Sequence, residues 1–109
     1  MNKYRNKKIV IDNIKFDSQL EANRYTELKL LQRAKVISNL RLQVPYVLQE
    51  GFKKNGKSYQ AIKYIADFVY EENGRTVVED TKGVQTDVFK IKHKLFEKKY
   101  PELELKIVK

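Results

Sequence analysis

Tyr64 to Lys82 reads YIADFVYEENGRTVVEDTK. Its centre, Asn73-Gly74, is the strongest short hairpin signal in the chain, because a two-residue type I′ turn needs positive φ at both central positions. Alternating apolar and β-branched residues flank the turn, so the stretch predicts two antiparallel strands. With Asn73-Gly74 at the tip, Glu72 faces Arg75. Counting outward, Asp67 falls opposite Asp80 and Ile65 opposite Lys82. Facing side chains in such a ladder stand with Cβ atoms roughly 4.5–5.5 Å apart, and like charges there repel. Two facing acids therefore ask for a compensating cation. Strand alternation sends Val78, Asp80 and Lys82 to one face and Val77, Glu79 and Thr81 to the other. A four-residue turn leaves that parity unchanged, whereas a bulge or a one-residue slip would exchange the faces. The candidate constellation is thus Asp67, Asp80 and Lys82. Glu79, its main rival, is expected to accept a hydrogen bond or ion pair behind the sheet.

Working outward from the hairpin, Lys8 to Phe16 predicts a smaller one around Asp12-Asn13. Ser18 opens a helix carrying Leu20, Tyr25, Leu28, Leu31 and Ala34 at mostly three- and four-residue spacings, fading near Lys35. Leu40 to Leu48 predicts a strand interrupted or bent at Pro45. GFKKNGKS, Gly51 to Ser58, reads as a loop or hairpin tip, and Tyr59 to Glu71 as a strand. After Gly83, Thr86 is a candidate N-cap for a helix with Ile91, Leu95 and Tyr100 on one face, stopped at Pro101. Leu103, Leu105 and Ile107 alternate with polar residues as a last strand. The expected order is hairpin, helix, three strands, helix, strand: a single mixed α/β domain over residues 1–109, with a helix on each face of a central sheet.

The 109 residues carry 23 Lys and Arg against 14 Asp and Glu, a net charge of +9, and no cysteine. The missing thiols exclude disulfides, a cysteine nucleophile and a Cys-ligated zinc, and a single histidine, His93, excludes a multi-histidine site. No run approaches the roughly 18 apolar residues of a membrane span, and a cytoplasmic protein is expected. Excess positive charge in a small domain points to a polyanion, usually nucleic acid. The basic residues cluster in the arm spanning residues 1–8 (Lys3, Arg5, Lys7, Lys8), in the loop (Lys53, Lys54, Lys57) and in the second helix (Lys90, Lys92, Lys94). Acids gather between Asp67 and Asp80. An acidic knot in a basic protein fits a cation held beside a phosphate. Carboxylate ligands suit Mg²⁺ or Mn²⁺, which bind through few carboxylates together with substrate phosphate. A neighbouring lysine can orient the attacking water and stabilise charge on the phosphate.

Asp67-Phe68 and Asp80-Thr81-Lys82-Gly83 resemble the split acidic motif of the PD-(D/E)XK nuclease superfamily. The element order resembles that superfamily's restriction-endonuclease-like core. The strings DSQLEANRYTELKLL, YIADFVY and VVEDTKG resemble a family of small phage-encoded proteins placed among these nucleases, from about Phe16 to Tyr100. Ala66 departs from the pattern where the superfamily name puts proline. The resemblance implies a Mg²⁺-dependent DNA endonuclease of phage or prophage DNA processing. Asp67, Asp80 and the Thr81 backbone carbonyl would be metal ligands, Lys82 would assist the water, and Glu21 would complete the cluster. Two roles compete at Glu21, because Ser18-Gln19-Leu20-Glu21 also has the S-x-x-E spacing of a capping box. A homodimer would serve double-strand cleavage. The alternatives are a non-catalytic nucleic-acid-binding module on the same fold, and a structural phage protein whose lysines serve solubility.

Overall fold

A computed structural model describes residues 8–109; Lys3, Arg5 and Lys7 lie outside them. The chain runs β1 (Ile9–Ile11), β2 (Ile14–Phe16), α1 (Gln19–Arg33), β3 (Ser38–Gln49), β4 (Phe52–Lys54), β5 (Lys57–Tyr59), β6 (Ile62–Glu72), β7 (Arg75–Thr81), α2 (Asp87–Lys99) and β8 (Glu104–Val108). A four-stranded sheet is ordered β3-β6-β7-β8, antiparallel except for the β7–β8 pair. The parallel pair follows from the connection: α2 lies between β7 and β8, and parallel strands need such a crossover.

Three hairpins close on residue pairs with positive φ, Asp12-Asn13, Asn55-Gly56 and Asn73-Gly74, as type I′ turns require. Of these, β4–β5 is a separate ribbon, and every residue from Gly51 to Gln60 is exposed. The polar stretch read as a loop or tip is therefore a projecting hairpin. The expected strand from Tyr59 is split, because Tyr59 ends the ribbon and β6 starts at Ile62. Pro45 neither breaks nor ends β3; it pairs with Ile65 on an edge strand, where a missing donor is tolerated.

Both helices start where expected. The Ser18 hydroxyl accepts from the Glu21 amide at 3.1 Å and the Thr86 hydroxyl from the Phe89 amide at 3.1 Å, each satisfying an orphan donor of the first turn. α1 buries Ala22, Tyr25 and Leu28, while Ala34 sits exposed just past its end. α2 turns two of its three predicted positions to the core, Leu95 and Tyr100 half-buried, but Ile91 is 60% exposed and Phe89 and Phe96 are the buried residues. Two aromatic rings at a seven-residue spacing fill the space over the sheet, and Ile91 lies off that line.

Two cores result. One joins Phe16, Tyr25 and Leu28 to Phe68, Tyr70 and Val77; the other joins Phe89 and Phe96 to Tyr64, Ala66, Val69 and Val78. Adjacent residues such as Val77 and Val78 enter different cores, so each helix covers its own face of the sheet. One detail breaks simple alternation. Tyr64 and Ala66 belong to the α2 core, yet Phe68 and Tyr70, of the same parity, belong to the α1 core. On β3, Leu40 and Leu42 pack with α1 and Val44 and Tyr46 with α2. Both strands exchange faces at one level, between the pairs Leu42–Phe68 and Val44–Ala66. The residues in between are Gln43 and Asp67. Gln43 holds φ 54, a left-handed conformation that costs a non-glycine residue of order 1–3 kcal/mol.

Candidate functional site

Asp67 stands at the level where β3 and β6 exchange faces. The β6–β7 ladder begins at Glu72–Arg75, as the turn predicts, and runs to Phe68–Glu79. There it ends. The expected direct opposition of Asp67 with Asp80 is replaced by a side-chain bridge: Asp67 Oδ2 accepts from the Thr81 amide and from the Thr81 hydroxyl, each at 2.9 Å. The strands part at this point because a carboxylate has taken over the rung that a main-chain carbonyl would supply. Repulsion between two facing acids gives a physical reason for the ladder to stop one pair short.

Asp80 is 1% exposed and lies on the α2 side. Lys82 Nζ stands 3.2 Å from Asp80 Oδ2 and 4.9 Å from the centre of the Phe89 ring. That oxygen is ion-paired with Lys82 but makes no hydrogen bond of good geometry, nor does the buried Tyr64 hydroxyl beside it, although both neighbours favour the Asp80 charge. Burial and the negative charge of Asp67 push the Asp80 carboxyl up to about 6, against the opposing pull of Lys82. Burial, then the charge of Asp80 beside it, also raises Tyr64.

Glu21 enters from the first turn of α1. Its amide is capped by Ser18, but its carboxylate accepts from Gln43 Nε2 at 3.3 Å. Only one half of the capping box is made, and the side chain is free to face the acids. Partial burial, then the charges of Asp67, Asp17 and Asp80, raise Glu21 to about 7, with Lys82 opposing. Glu21, Asp67, Asp80 and Lys82 are therefore brought within each other's field, and Gln43 joins them.

Glu79, one residue from Asp80, has a different environment. It is fully buried on the α1 side, where Arg24 donates to both carboxylate oxygens at 2.8 and 2.6 Å and the Tyr70 hydroxyl donates to Oε2. The pair raises Arg24, chiefly through these hydrogen bonds. Both oxygens of Glu79 are thus hydrogen-bonded, on the side of the sheet that the parity argument expects.

A divalent cation fits some features of this site. The donors are hard carboxylate oxygens, one is buried without a well-formed hydrogen bond, and two of the acids are held above their usual range by burial and then by neighbouring acids. Among the described residues, however, no three His, Cys, Asp or Glu side chains are already gathered for a metal ion. A three-carboxylate grip would require side-chain movement. Thr81 meets Asp67 through its amide and hydroxyl.

The expected phosphate contacts are spread out. Lys53, Lys54 and Lys57 are exposed on the β4–β5 ribbon, Lys90 and Lys94 are exposed on α2, and Lys92 is half-buried. Lys8 is paired with Asp17 at 2.5 Å. His93 lies on α2, 3.6 Å from Glu97. A hollow of about 490 Å³ beside Gly74, Arg75 and Glu102 lies at the turn end of β7, away from the carboxylates. No helix among the described residues is long and apolar enough to cross a membrane.

Comparison with known proteins agrees over the whole length with one family, described as "Protein of unknown function (DUF1064)" and matched over residues 1–109. The chain belongs to that family. No curated protein matches the chain significantly.

Sequence reasoning missed Arg24 and Gln43, and named Thr81 only for its backbone carbonyl, not for the amide and hydroxyl that hold Asp67. Arg24 had a signal: an acid forced onto the α1 face needs a cation from α1, and Arg24 is the only basic residue between Glu21 and Leu28. Thr81 had a weaker one, since a hydroxyl neighbouring paired acids is a natural donor. Gln43 had none, because its role depends on a positive φ inside a strand.

Proposed function

We propose that this protein is a metal-dependent nuclease that hydrolyses phosphodiester bonds in DNA, on a restriction-endonuclease-like core of the PD-(D/E)XK kind. The observation that carries the reading is the convergence of Glu21, Asp67, Asp80 and Lys82 where β6 and β7 part, with a buried Asp80 oxygen left without a well-formed hydrogen bond. Asp67 and Asp80 would hold Mg²⁺ or Mn²⁺, joined by Glu21 and the Thr81 carbonyl. The ion would supply Lewis acidity, stabilising charge on the phosphate and activating the attacking water.

The chain's own groups do the rest. Thr81 fixes Asp67 through two hydrogen bonds, so that carboxylate is oriented in advance. Lys82, held between Asp80 and the Phe89 ring, places a positive charge at the mouth of the site. Gln43 holds Glu21 toward the cluster. The lysines of the ribbon and of α2 would bind phosphates, giving affinity without base specificity.

A non-catalytic nucleic-acid-binding module is the second reading, favoured by the absence of a ready-made trio of ligands among the described residues. One experiment separates them. Purified protein is incubated with plasmid, linear, single-stranded and branched DNA in Mg²⁺, Mn²⁺ or EDTA. Cleavage with metal and none in EDTA supports the nuclease. Salt-sensitive binding without cleavage in any metal supports the module, and neither binding nor cleavage overturns both.

A further inference from the structure

Beside the carboxylates lies an open groove of about 320 Å³ between the start of β6 and the first turn of α2. Its charged lining is entirely basic: Lys63, Lys82 and Lys92. Its apolar lining includes Ile65, 52% exposed, and Val88, 63% exposed. Neither residue belongs to a core. Val84, 80% exposed, and Ile91, 60% exposed, extend apolar surface along the adjoining loop and helix. Lysines beside large exposed apolar side chains make a surface that is poorly matched to water, and such patches mark binding sites.

The alternation of β6 explains how the groove joins the acids. Tyr64 and Ala66 face the α2 core, and Lys63 and Ile65 stand exposed beside them at the edge of the groove, with Asp67 two residues further along β6. The three run along the strand from the base of the basic ribbon to the candidate metal site. Lys82 belongs to both regions, since it lines the groove and stands 3.2 Å from Asp80. Lys82 thus links a ligand in the groove to Asp80.

From this placement we infer that the groove takes an unpaired nucleotide next to the cut, with its phosphates on Lys63, Lys82 and Lys92 and its base against Ile65 and Val88. The substrate class is DNA with an unstacked strand, such as a flap, branch or single-stranded end. Charge complementarity selects a polyanion. The apolar pair selects among polyanions, because in uninterrupted duplex the base faces are stacked on one another and only phosphate, sugar and groove edges remain. An unpaired base offers a face to a non-polar wall, a contact that tolerates any sequence. A volume of about 320 Å³ is at the small end of pockets that hold an organic ligand, the scale of one nucleotide and not of a duplex.

This inference rests on the nuclease reading for its place in the reaction, but binding tests it separately. Wild-type protein in EDTA is titrated with fluorescent blunt duplex and with the same duplex carrying a single-stranded flap, alongside cleavage of both in Mg²⁺. The flap substrate is expected to bind about tenfold more tightly, the scale of burying roughly 50 Å² of apolar surface between a base and two aliphatic side chains. In the double variant Ile65→Ser, Val88→Ser that ratio falls toward one; both residues are surface-exposed, and a circular-dichroism melt verifies folding. Equal binding of flap and blunt duplex by wild type, or a ratio untouched by the double variant, overturns the inference even if both DNAs are cleaved. Flap preference without cleavage in any metal leaves the groove assignment standing and overturns the nuclease reading.

Discussion

Glu79 and Asp80 are neighbours in the chain, both buried, and opposite in circumstance. Glu79 faces α1, where a guanidinium binds both its oxygens and a phenol adds a third donor. Asp80 faces α2, where one oxygen lacks a well-formed hydrogen bond, the nearest cation is 3.2 Å away and another acid adds repulsion. A buried carboxylate with both oxygens hydrogen-bonded needs nothing further and ties two elements together. A buried carboxylate held by one lysine in poor hydrogen-bond geometry, against the repulsion of a second acid, is a standing cost that packing does not explain. Strand alternation, through a single residue step, separates a structural acid from a candidate functional one.

The sharpest way to break this contrast is to neutralise each acid. Asp80→Asn is expected to abolish cleavage, a loss of at least about a thousandfold, or about 4 kcal/mol in the barrier. It also removes a repulsion, so the metal-free variant melts at or above the wild-type temperature. Mg²⁺ or Mn²⁺ raises the melting temperature of wild type but not of Asp80→Asn, which a thermal-shift series reads directly. Glu79→Gln retains measurable cleavage. If Glu79→Gln is inactive and insensitive to metal while Asp80→Asn still cuts, the two roles are reversed.

The Glu79 side is probed through its partner. Arg24→Met leaves a buried carboxylate without its cation, which costs about 3–5 kcal/mol when such a pair is broken from one side. Chemical denaturation measures it. A loss below about 1 kcal/mol would place Arg24–Glu79 with weak surface pairs and remove the structural half of the contrast.

Much of this contrast was legible in the residues, and the missing part has a physical cause. Asn73-Gly74 determines the register as far as Phe68–Glu79, so the opposite facings of Glu79 and Asp80 follow from counting. Both N-caps follow from Ser18 and Thr86. The exchange of faces at Gln43 and Asp67 does not, because a left-handed glutamine in a strand leaves no mark in composition or periodicity. That exchange places Asp67 between the Glu21 and Asp80 sides of the sheet. One position of the α2 face was misread for a simpler reason: Ile91 suits a core by type, but Phe89 and Phe96 join Leu95 and Tyr100 on the core instead. The same misreading concealed the apolar edge of the groove.

Acidity sharpens the comparison on the functional side. Glu21 is raised from 4.5 to about 7 and Asp80 from 3.8 to about 6. An acid raised on folding favours the folded state while protonated, so its stabilisation is present below the unfolded value and lost as pH rises through the folded one. Metal-free protein should therefore lose stability between pH 4 and 7 through these two groups. Glu21→Gln should flatten the upper part of that fall by about 1 kcal/mol, a figure reduced for the solvent that reaches the side chain. Saturating Mg²⁺ should cancel or reverse the fall, because the ion binds the ionised forms. A pH series of melts with and without Mg²⁺ tests this, and a Glu21→Gln variant with full activity and an unchanged profile would return Glu21 to a purely capping role.

The smallest effect per residue asks whether the contrast extends from two acids to the two helices above them. α2 covers the Asp80 side and carries Lys90, Lys92 and Lys94; α1 covers the Glu79 side and carries Lys29 and Arg33. Each phosphate contact contributes about −0.9 to the slope of log affinity against log salt, which is about 3.5-fold between 50 and 200 mM. Replacing the three α2 lysines by glutamine should flatten the slope by about 2 units, allowing for one side chain that only flanks the DNA. Replacing Lys29 and Arg33 should leave it unchanged, although those residues carry charges of the same sign. Net charge alone would make both sets flatten the slope in proportion to their number, since a diffuse field does not depend on which face bears it. Fluorescence anisotropy at four salt concentrations separates the two outcomes. A slope lowered by the α1 set and untouched by the α2 set would place DNA on the Glu79 side, where the acid is already satisfied and the proposed chemistry has no site.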